Sequence, residues 1–529
     1  MRRSYLAALA SKAPDPGERL GAIDVGSNSI RLLVAEFDPQ GGIKVIDEVK
    51  DQPRLAAGLA ESNHLDEFAM ARALQTLGRM REVAERRGVK RISAVATSAV
   101  READNGKAFV DRVRREVGIP LRIIDPETEA ALSWRSVAHH FPLSSGRALV
   151  ADIGGGSLEL IGAVNGLVEL TRSLPLGAVR LTEQYLFEDR SRSKEVAKLR
   201  NRVRKQLKKA GRWREWNNVT LIGSGGTFTN LARMVLARRG HPTEAAHGEV
   251  IKTAEVEQML EWLCTLSVER RRNVPGLNPQ RADIILAGLS VTAELLNLLE
   301  ARSLTVSAFG LREGLLLEMI GETAQRHPDP LRAMREFVDR CQGDRRHVEQ
   351  VRTIGLTLFD RLCNVLGADQ EERPILEAAC LLHDVGQVVS YRKHHRHSFQ
   401  LIMHAERLNF TSRDRYLVAL VSRYHRRKGP SLKHPEFAQL SENEQGIVRR
   451  LSGILRVADG LDRGHTSNVD QVTATLGPDE LLIEVAPRIA GADLSLECWG
   501  AERKADVLAK LLQRDLVIRA AVGPAGRGG

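Results

Sequence analysis

Short apolar runs alternate with long amphipathic stretches from about Gly21 to Thr323, and this alternation predicts an α/β arrangement. Ile92 to Ala96, Leu121 to Ile124, Ala148 to Asp152 and Val219 to Ile222 have the length and apolar continuity of buried strands. Asp66 to Arg87, Thr227 to Arg239 and Arg281 to Leu299 repeat apolar residues at helical spacing. Past His327-Pro328-Asp329-Pro330 the pattern becomes helix after helix, rich in Arg, His and Leu, as far as about Leu461, which predicts a separate helical domain. Asp470 to Ala521 offers apolar runs at Leu481 to Val485 and Leu494 to Cys498, then a helical Lys504 to Gln513, and predicts a small β-β-α appendage. Ser11 to Glu18 and Gly523 to Gly529 have the composition of disordered tails. The expected order is a tail (1–20), two α/β lobes (21–143 and 144–325), a helical domain (326–465), a small α+β domain (466–521) and a tail (522–529).

A weak internal repeat supports the two lobes. Ala22-Ile23-Asp24-Val25-Gly26-Ser27-Asn28-Ser29 aligns with Val150-Ala151-Asp152-Ile153-Gly154-Gly155-Gly156-Ser157, matching Asp, Gly and Ser at one constant offset. Each copy runs into a second apolar segment, Arg31 to Phe37 and Leu158 to Val164, so each loop is predicted to be the tip of a β-hairpin.

Glycines let backbone N–H groups converge on an anion, and Ser or Asn side chains add donors. Gly26-Ser27-Asn28-Ser29 and Gly154-Gly155-Gly156-Ser157 are therefore candidate phosphate cradles; a single such loop would read as a tight turn, but two copies each headed by a strand-end Asp favour the cradle. Gly225-Gly226-Thr227 follows another strand and opens a helix, where it is either a third anion site or a plain turn capped by Thr227. Asp24, Asp152 and Glu159 stand beside the places where phosphates would gather, and either bridge to a hard divalent cation such as Mg²⁺ or orient the loops. Arg101, after the strand-end segment Ala96-Thr97-Ser98-Ala99-Val100, is placed to neutralise charge on a transferred phosphoryl group.

The formal charge of +11, from 78 Lys and Arg against 67 Asp and Glu, favours a polyanionic partner. The run Arg200 to Arg214 is a dense cationic helix, read as a track for polyphosphate. Aromatic residues make up only 4% of the chain, which argues against a base-stacking platform and hence against nucleic acid. Five scattered cysteines without C-x-x-C pairs fit a reducing compartment, and no apolar run has the length of a membrane span, so a cytoplasmic protein without a membrane partner is expected.

In order along the chain stand G-A-I-D-V-G-S-N-S, A-T-S-A-V-R, D-P-E-T-E-A, D-I-G-G-G-S-L-E-L, G-S-G-G-T and F-G-L-R-E-G. Together they resemble the exopolyphosphatase and guanosine pentaphosphate phosphohydrolase family, a branch of the actin-like ATPase fold. The resemblance spans Gly21 to Thr323 and implies two actin-like (ribonuclease H-like) lobes followed by the helical domain. It places the family's catalytic glutamate on Glu129, with Glu127 as the nearby competitor; the carboxylate would deprotonate the attacking water. It also implies phosphate or metal roles for Asp24, Arg101, Asp152, Gly154 to Ser157 and Glu159, and a homodimer. Pro126 departs from the small residue common at that position. The implied reaction is Mg²⁺-dependent, processive release of orthophosphate from inorganic polyphosphate; hydrolysis of guanosine pentaphosphate to the tetraphosphate is the alternative, and a non-catalytic sensor a third reading.

In the helical domain, His347, His383-Asp384 and Asp459, with His397 and His425 between, resemble the HD phosphohydrolase superfamily. That resemblance implies an HD-type domain in which the four residues hold Mn²⁺, Fe²⁺ or Zn²⁺.

Overall fold

The computed structural model describes residues 14–521 apart from 39–41, 187–192, 212, 218, 242, 244–245, 322–329, 406–407 and 409; residues 1–13 of the expected N-terminal tail, the expected C-terminal tail and the junction at 325/326 lie outside the described residues, while Arg19 and Leu20, expected in the tail, begin the first strand. The chain divides into two compact units, residues 1–328 and 329–529.

The first unit contains two sheets. Strands β1 (Arg19–Val25), β2 (Ile30–Asp38), β3 (Gly42–Asp51), β4 (Arg91–Ala96) and β5 (Leu121–Ile123) form one in the order β3-β2-β1-β4-β5. Strands β6 (Arg147–Ile153), β7 (Leu158–Val164), β8 (Leu167–Leu174), β9 (Thr220–Ser224), β10 (Val250–Lys252) and β11 (Ser303–Val306) form the other in the order β10-β11-β9-β6-β7-β8. Each sheet opens with an antiparallel three-strand meander and continues with a parallel strand added beside the first. The repeat in the turns is therefore part of a repeated strand order, β3-β2-β1-β4-β5 matching β8-β7-β6-β9-β11, to which the second sheet adds the antiparallel β10.

Alternation along β1 and β2 explains why both faces of the first sheet are covered. Ile23, Val25, Ile30, Leu32 and Val34 pack on one side with Ala69, Ala73, Leu77 and Met80 of the Glu67–Arg86 helix. Ala22, Leu33 and Ala35 point the other way, onto Leu315, Leu316 and Ile320 of the Leu311–Ile320 helix. That helix comes from the far end of the second lobe's sequence. Conversely, the Pro126–His140 helix buries Ala130 and Val137 against Ala148, Val150, Ile161 and Ile222 of the second sheet. The two exchanged helices cross closely: a Cβ on Gly314 would lie 2.1 Å from the Leu132 carbonyl oxygen. A cut at 143/144 thus divides the sequence, while the two cores interlock across it.

The second unit has one continuous core. It joins the helices Arg345–Leu366, Arg373–Leu382, Ser412–Arg423 and Glu442–Gly460 to Val472, Ile483, Val485, Leu508 and Ile518 of the C-terminal segment. The segment expected as a β-β-α appendage is β12 (Val469–Leu476), β13 (Glu480–Pro487), two short helices (Ser495–Glu502 and Asp506–Leu512) and β14 (Asp515–Ala520). Leu494 to Cys498 is the start of a helix, Ser495–Glu502, just before which Asp493 accepts the Ser495 N–H at 2.9 Å. The small Gly500 and Ala501 then let this helix approach Gly460. β14, which carries no long apolar run, pairs in parallel with β13. All five cysteines are free thiols. Among the described residues no helix is long and apolar enough to cross a membrane.

Candidate functional site

The two glycine loops are built alike. Gly26 N–H donates to Ser29 O at 3.1 Å and Gly154 N–H to Ser157 O at 3.0 Å, and no other backbone amide closes either turn. The carbonyls are turned away: Ser27 O accepts from Ala56, Asn28 O from Arg54, and Gly154, Gly155 and Gly156 O from residues 177–180. Fixing these carbonyls outward leaves the amides that follow them, those of Asn28, Gly155 and Gly156 among them, facing the opposite way, which is the geometry of an anion cradle. The loops also face each other. A Cβ on Gly155 would stand 2.8 Å from Ser27 Cβ, and one on Gly156 2.3 Å from Ser98 Oγ, so the approach itself requires glycine. Arg180 ties the second loop across the lobes, donating to Gly156 O at 2.9 Å and pairing with Glu102.

Behind each loop runs a cross-strand row. On the first sheet Asp24 pairs in register with Arg31, and Arg31 with Lys50. On the second, Asp152 pairs with Glu159, and Glu159 with Ser173. The backbone repeat is symmetric and its charge is not: one row continues into cations, the other into acid. Ser133 donates to Asp152 Oδ2 at 3.0 Å, and Ser173 to Glu159 Oε1 at 3.0 Å.

Glu129 and Glu127 separate by burial. Asp125 caps the Pro126–His140 helix, accepting the Thr128 N–H at 2.7 Å, and Pro126 occupies the first turn, where its missing N–H costs nothing. Helical periodicity then turns Glu127 to solvent and Glu129 into the site, where it is 9% exposed. Arg101 Nη1 donates to Glu129 Oε2 at 3.0 Å and to Ile124 O at 2.8 Å.

Thr227 does not cap its helix. Gly225 takes that position with φ +95°, and a Cβ there would lie 2.6 Å from Asp152 Oδ1. Thr227 is buried as the second residue of the helix, and the guanidinium of Arg281 lies against Gly226 and Thr227. Arg281 and Lys50 escaped sequence reasoning because each is a lone cation, Lys50 in a strand pattern and Arg281 beside an apolar helix; Arg31 looked like an ordinary strand residue for the same reason.

The electrostatics follow from this crowding. Burial pushes the Asp24 carboxyl up to about 6, against the opposing pull of Arg31 and Arg312. Burial raises Glu129 to about 7 although Arg101 draws it down, with Asp24 and Asp152 adding to the rise. Asp152 is raised by burial, and Glu159 well raised by burial and by Glu129. On the cationic row, burial together with Arg31 and Arg281 lowers Lys50 to about 7, and burial lowers Arg281 to about 10. Asp24 Oδ1, Asn28 Nδ2 and Arg281 Nε are buried without a hydrogen-bond partner. A buried acid oxygen beside three further acids fits a cation, and unpartnered donors beside crowded cations fit a phosphate.

Next to the cationic row is a cavity of about 360 Å³ lined by Asp51, Gln52, Arg54, Arg272, Gln280 and Asp283, with Arg54 and Asp283 paired at 2.9 Å. The cationic helix is narrower in effect than its sequence. Arg200 pairs with Glu257 and Glu294, and Arg204 with Glu294, which fastens the Ser193–Ala210 helix to the Ile285–Leu298 helix. Arg202, Lys205, Lys208 and Lys209 stay exposed, and Arg212 lies outside the described residues. Trp213 and Trp216 are buried and offer no stacking surface.

In the second unit His347, His383, Asp384 and Asp459 come together. Asp459 Oδ1 lies 3.6 Å from His347 Nε2 and 3.9 Å from His383 Nε2, and Asp384 Oδ1 lies 3.8 Å from His383 Nε2. His425 joins them; the other added histidine is His394 rather than His397.

The Ppx/GppA phosphatase family model matches residues 33–323, and the model of its domain III matches residues 331–489. A guanosine-5'-triphosphate,3'-diphosphate pyrophosphatase of Vibrio vulnificus is 30% identical over 498 residues, covering 92% of this chain and 96% of the relative. Its counterpart in Vibrio campbellii is 29% identical over 497 residues with the same coverage. The crystal structure of an exopolyphosphatase from Cytophaga hutchinsonii is 28% identical and superposes with a TM-score of 0.54, covering 57% of this chain and 98% of that one.

Proposed function

We propose, on the premise that this chain belongs to the Ppx/GppA phosphatase family, whose members hydrolyse phosphoanhydride bonds, that it removes the terminal phosphate of inorganic polyphosphate and releases orthophosphate. The observation that carries the reading is the pair of facing amide cradles, with Glu129 buried within electrostatic reach of the strand-end Asp24 and Asp152 and the Arg31, Lys50 and Arg281 cations alongside. The amides of Asn28, Gly155 and Gly156 hold the terminal phosphoryl oxygens. Glu129 accepts a proton from water as the new O–P bond forms, while the anhydride P–O bond breaks and its electron pair leaves on the shortened chain. Arg101 holds the Glu129 carboxylate in place through the 3.0 Å contact and supports the ionised form. Asp24, Asp152 and Glu159 suit Mg²⁺, which when bound supplies positive charge to phosphate oxygens. The cationic row receives the rest of the polyanion.

Hydrolysis of guanosine pentaphosphate is the second reading, favoured by the mixed Arg, Asp and Gln cavity beside the row and by the names of the full-length relatives. Initial rates on long-chain polyphosphate and on guanosine pentaphosphate, compared as kcat/KM with and without Mg²⁺, decide between them. A higher kcat/KM on polyphosphate supports the first reading, and inactivity on every chain length removes it.

Lys50 provides a separate check on the cationic row. Its ammonium is held down at about 7, so it carries charge only below that pH until a polyanion restores it. Polyphosphate affinity is therefore expected to weaken as pH rises from 6 to 9, with proton uptake on binding. Lys50→Met should raise Kd about tenfold at pH 6.5, little at pH 9, and flatten the profile. Calorimetry in buffers of different ionisation heat measures both effects, and an unchanged profile in the variant would exclude Lys50.

A further inference from the structure

One short helix, Ser98–Glu102, touches both phosphate loops and the catalytic acid at once. Ser98 Oγ lies 3.0 Å from Ser27 Oγ of the first loop, Arg101 Nη1 donates to Glu129 Oε2 at 3.0 Å, and Glu102 pairs with Arg180, which binds the second loop. We infer that this helix fixes Glu129 relative to a phosphoryl group in the second cradle, and that Glu102 and Arg180 are the positioning residues that hold the cradle to it. The inference rests on the phosphoanhydride hydrolysis proposed above, and not on which phosphate chain is cleaved.

Helical spacing sorts these contacts. Ser98 and Glu102 stand four residues apart on one face, and both serve the second loop: a Cβ on Gly156 would lie 2.3 Å from Ser98 Oγ, and Glu102 reaches the same residue through Arg180. Arg101 leaves on the neighbouring face, toward the Pro126–His140 helix that carries Glu129. The short helix is itself held firmly. Thr97 N–H, just before it, donates to Val25 O at 3.2 Å, Ser98, Ala99 and Val100 are buried, and a Cβ on Gly106 would stand 1.9 Å from Val100 O, so the chain packs on its end without a gap. It is thus a fixed frame: Arg101 sets Glu129 against one side, and Glu102 sets the second cradle against another.

Arg180 stands in the first turn of the Ala178–Tyr185 helix, where the Ala178 N–H donates to Gly154 O and the Val179 and Arg180 N–H groups to Gly155 O. Gly177 allows this approach, since a Cβ there would lie 2.2 Å from the Gly156 carbonyl carbon. One guanidinium then serves two acceptors, Nε on Gly156 O and Nη2 on Glu102, which suits a rigid fork of donors and not a single ammonium. The Glu102 and Arg180 side chains are 42% and 22% exposed, and an ion pair this open contributes little to folding. Its effect is on geometry. The outward Gly156 carbonyl turns the following Ser157 amide inward, so the contact that Glu102 steadies acts directly on the shape of the cradle.

Steady-state rates on long-chain polyphosphate and on guanosine pentaphosphate are compared for Glu102→Ala, Glu102→Gln, Arg180→Ala and the double alanine variant of the full chain. Misplacement by an ångström costs on the order of a hundredfold, so kcat is expected to fall about tenfold in Glu102→Ala and about thirtyfold in Arg180→Ala, with KM within about threefold and the melting temperature unchanged. Glu102→Gln keeps an acceptor for Arg180 and should recover most of kcat. The double variant should be no slower than Arg180→Ala, because both residues act through one contact. Amide hydrogen exchange over Gly154 to Leu158 gives a readout that needs no substrate: it should quicken in both single alanine variants and return in Glu102→Gln. Full kcat in Arg180→Ala, losses that multiply in the double variant, or unaltered exchange overturns the inference; so does a raised KM together with a lowered melting temperature, which would make the pair a structural brace. Cleavage of guanosine pentaphosphate alone would remove the polyphosphate reading and leave this comparison intact.

Discussion

Glu129→Ala is expected to lower kcat by about a thousandfold while leaving the Kd for polyphosphate within a few-fold of its starting value. The asymmetry follows from position. Glu129 makes no backbone contact that shapes either loop, and among the described residues its ion pair is with Arg101 at 3.0 Å, so its loss removes the proton acceptor and leaves the loop amides and the cationic row in place. Glu127→Ala, two residues away and exposed, should change neither constant beyond twofold. The pH profile is a second test. With burial holding Glu129 near 7, the carboxylate form needed to take a proton grows as pH rises through that value, so kcat/KM should climb from pH 6 to 8. Rapid-quench turnover and equilibrium binding on the same preparations separate the two roles. Full turnover in Glu129→Ala would remove the residue from the mechanism, and parallel loss of binding would make it a structural acid instead.

Much of this site was legible in the sequence because its backbone is repeated. Asp24, Gly26 and Ser29 match Asp152, Gly154 and Ser157 at one offset, and the structure places both sets at the tips of equivalent hairpins. The same offset carries Arg31 onto Glu159, a mismatch that is invisible as a motif yet decides the chemistry, since it makes one half of the site cationic and the other acidic. Cross-strand neighbours such as Lys50 and Ser173 cannot be read from a single strand, because register depends on turn geometry and the bulges in β2–β3 and β7–β8.

Other differences have equally local causes. Leu494 to Cys498 alternates like a strand, but the small Gly500 and Ala501 let the segment pack closely as a helix against Gly460. The exchange of the Pro126–His140 and Leu311–Ile320 helices between lobes leaves no mark on composition, since each simply buries one apolar face. His394 lay inside a basic cluster that reads as solvated surface, and only the fold turns it inward to 3% exposure.

Asp24→Asn is expected to abolish most activity and yet make the protein more stable. Burial raises the Asp24 carboxyl from 3.8 to about 6, so the folded state binds this proton more tightly than the unfolded chain does. A group raised in this direction is neutral to stability below about pH 4, and its ionisation becomes a growing cost as pH climbs through 6. By the usual conversion of pKa shift to free energy, that cost is on the order of 3 kcal/mol at pH 8 in chelator. Asparagine has a similar shape and no charge to desolvate, while the lost attraction to Arg31 returns part of the gain, so a net stabilisation of about 1 to 2 kcal/mol is expected at pH 8 and none at pH 4. Mg²⁺ should reverse the order, raising the melting temperature of the unmodified chain by binding its folded form and leaving the variant unmoved. Denaturant titrations at the two pH values, repeated with Mg²⁺, measure all three effects. Equal stability at pH 8 would show that the Asp24 charge is already neutralised by its neighbours, and equal Mg²⁺ shifts would take Asp24 out of the cation site.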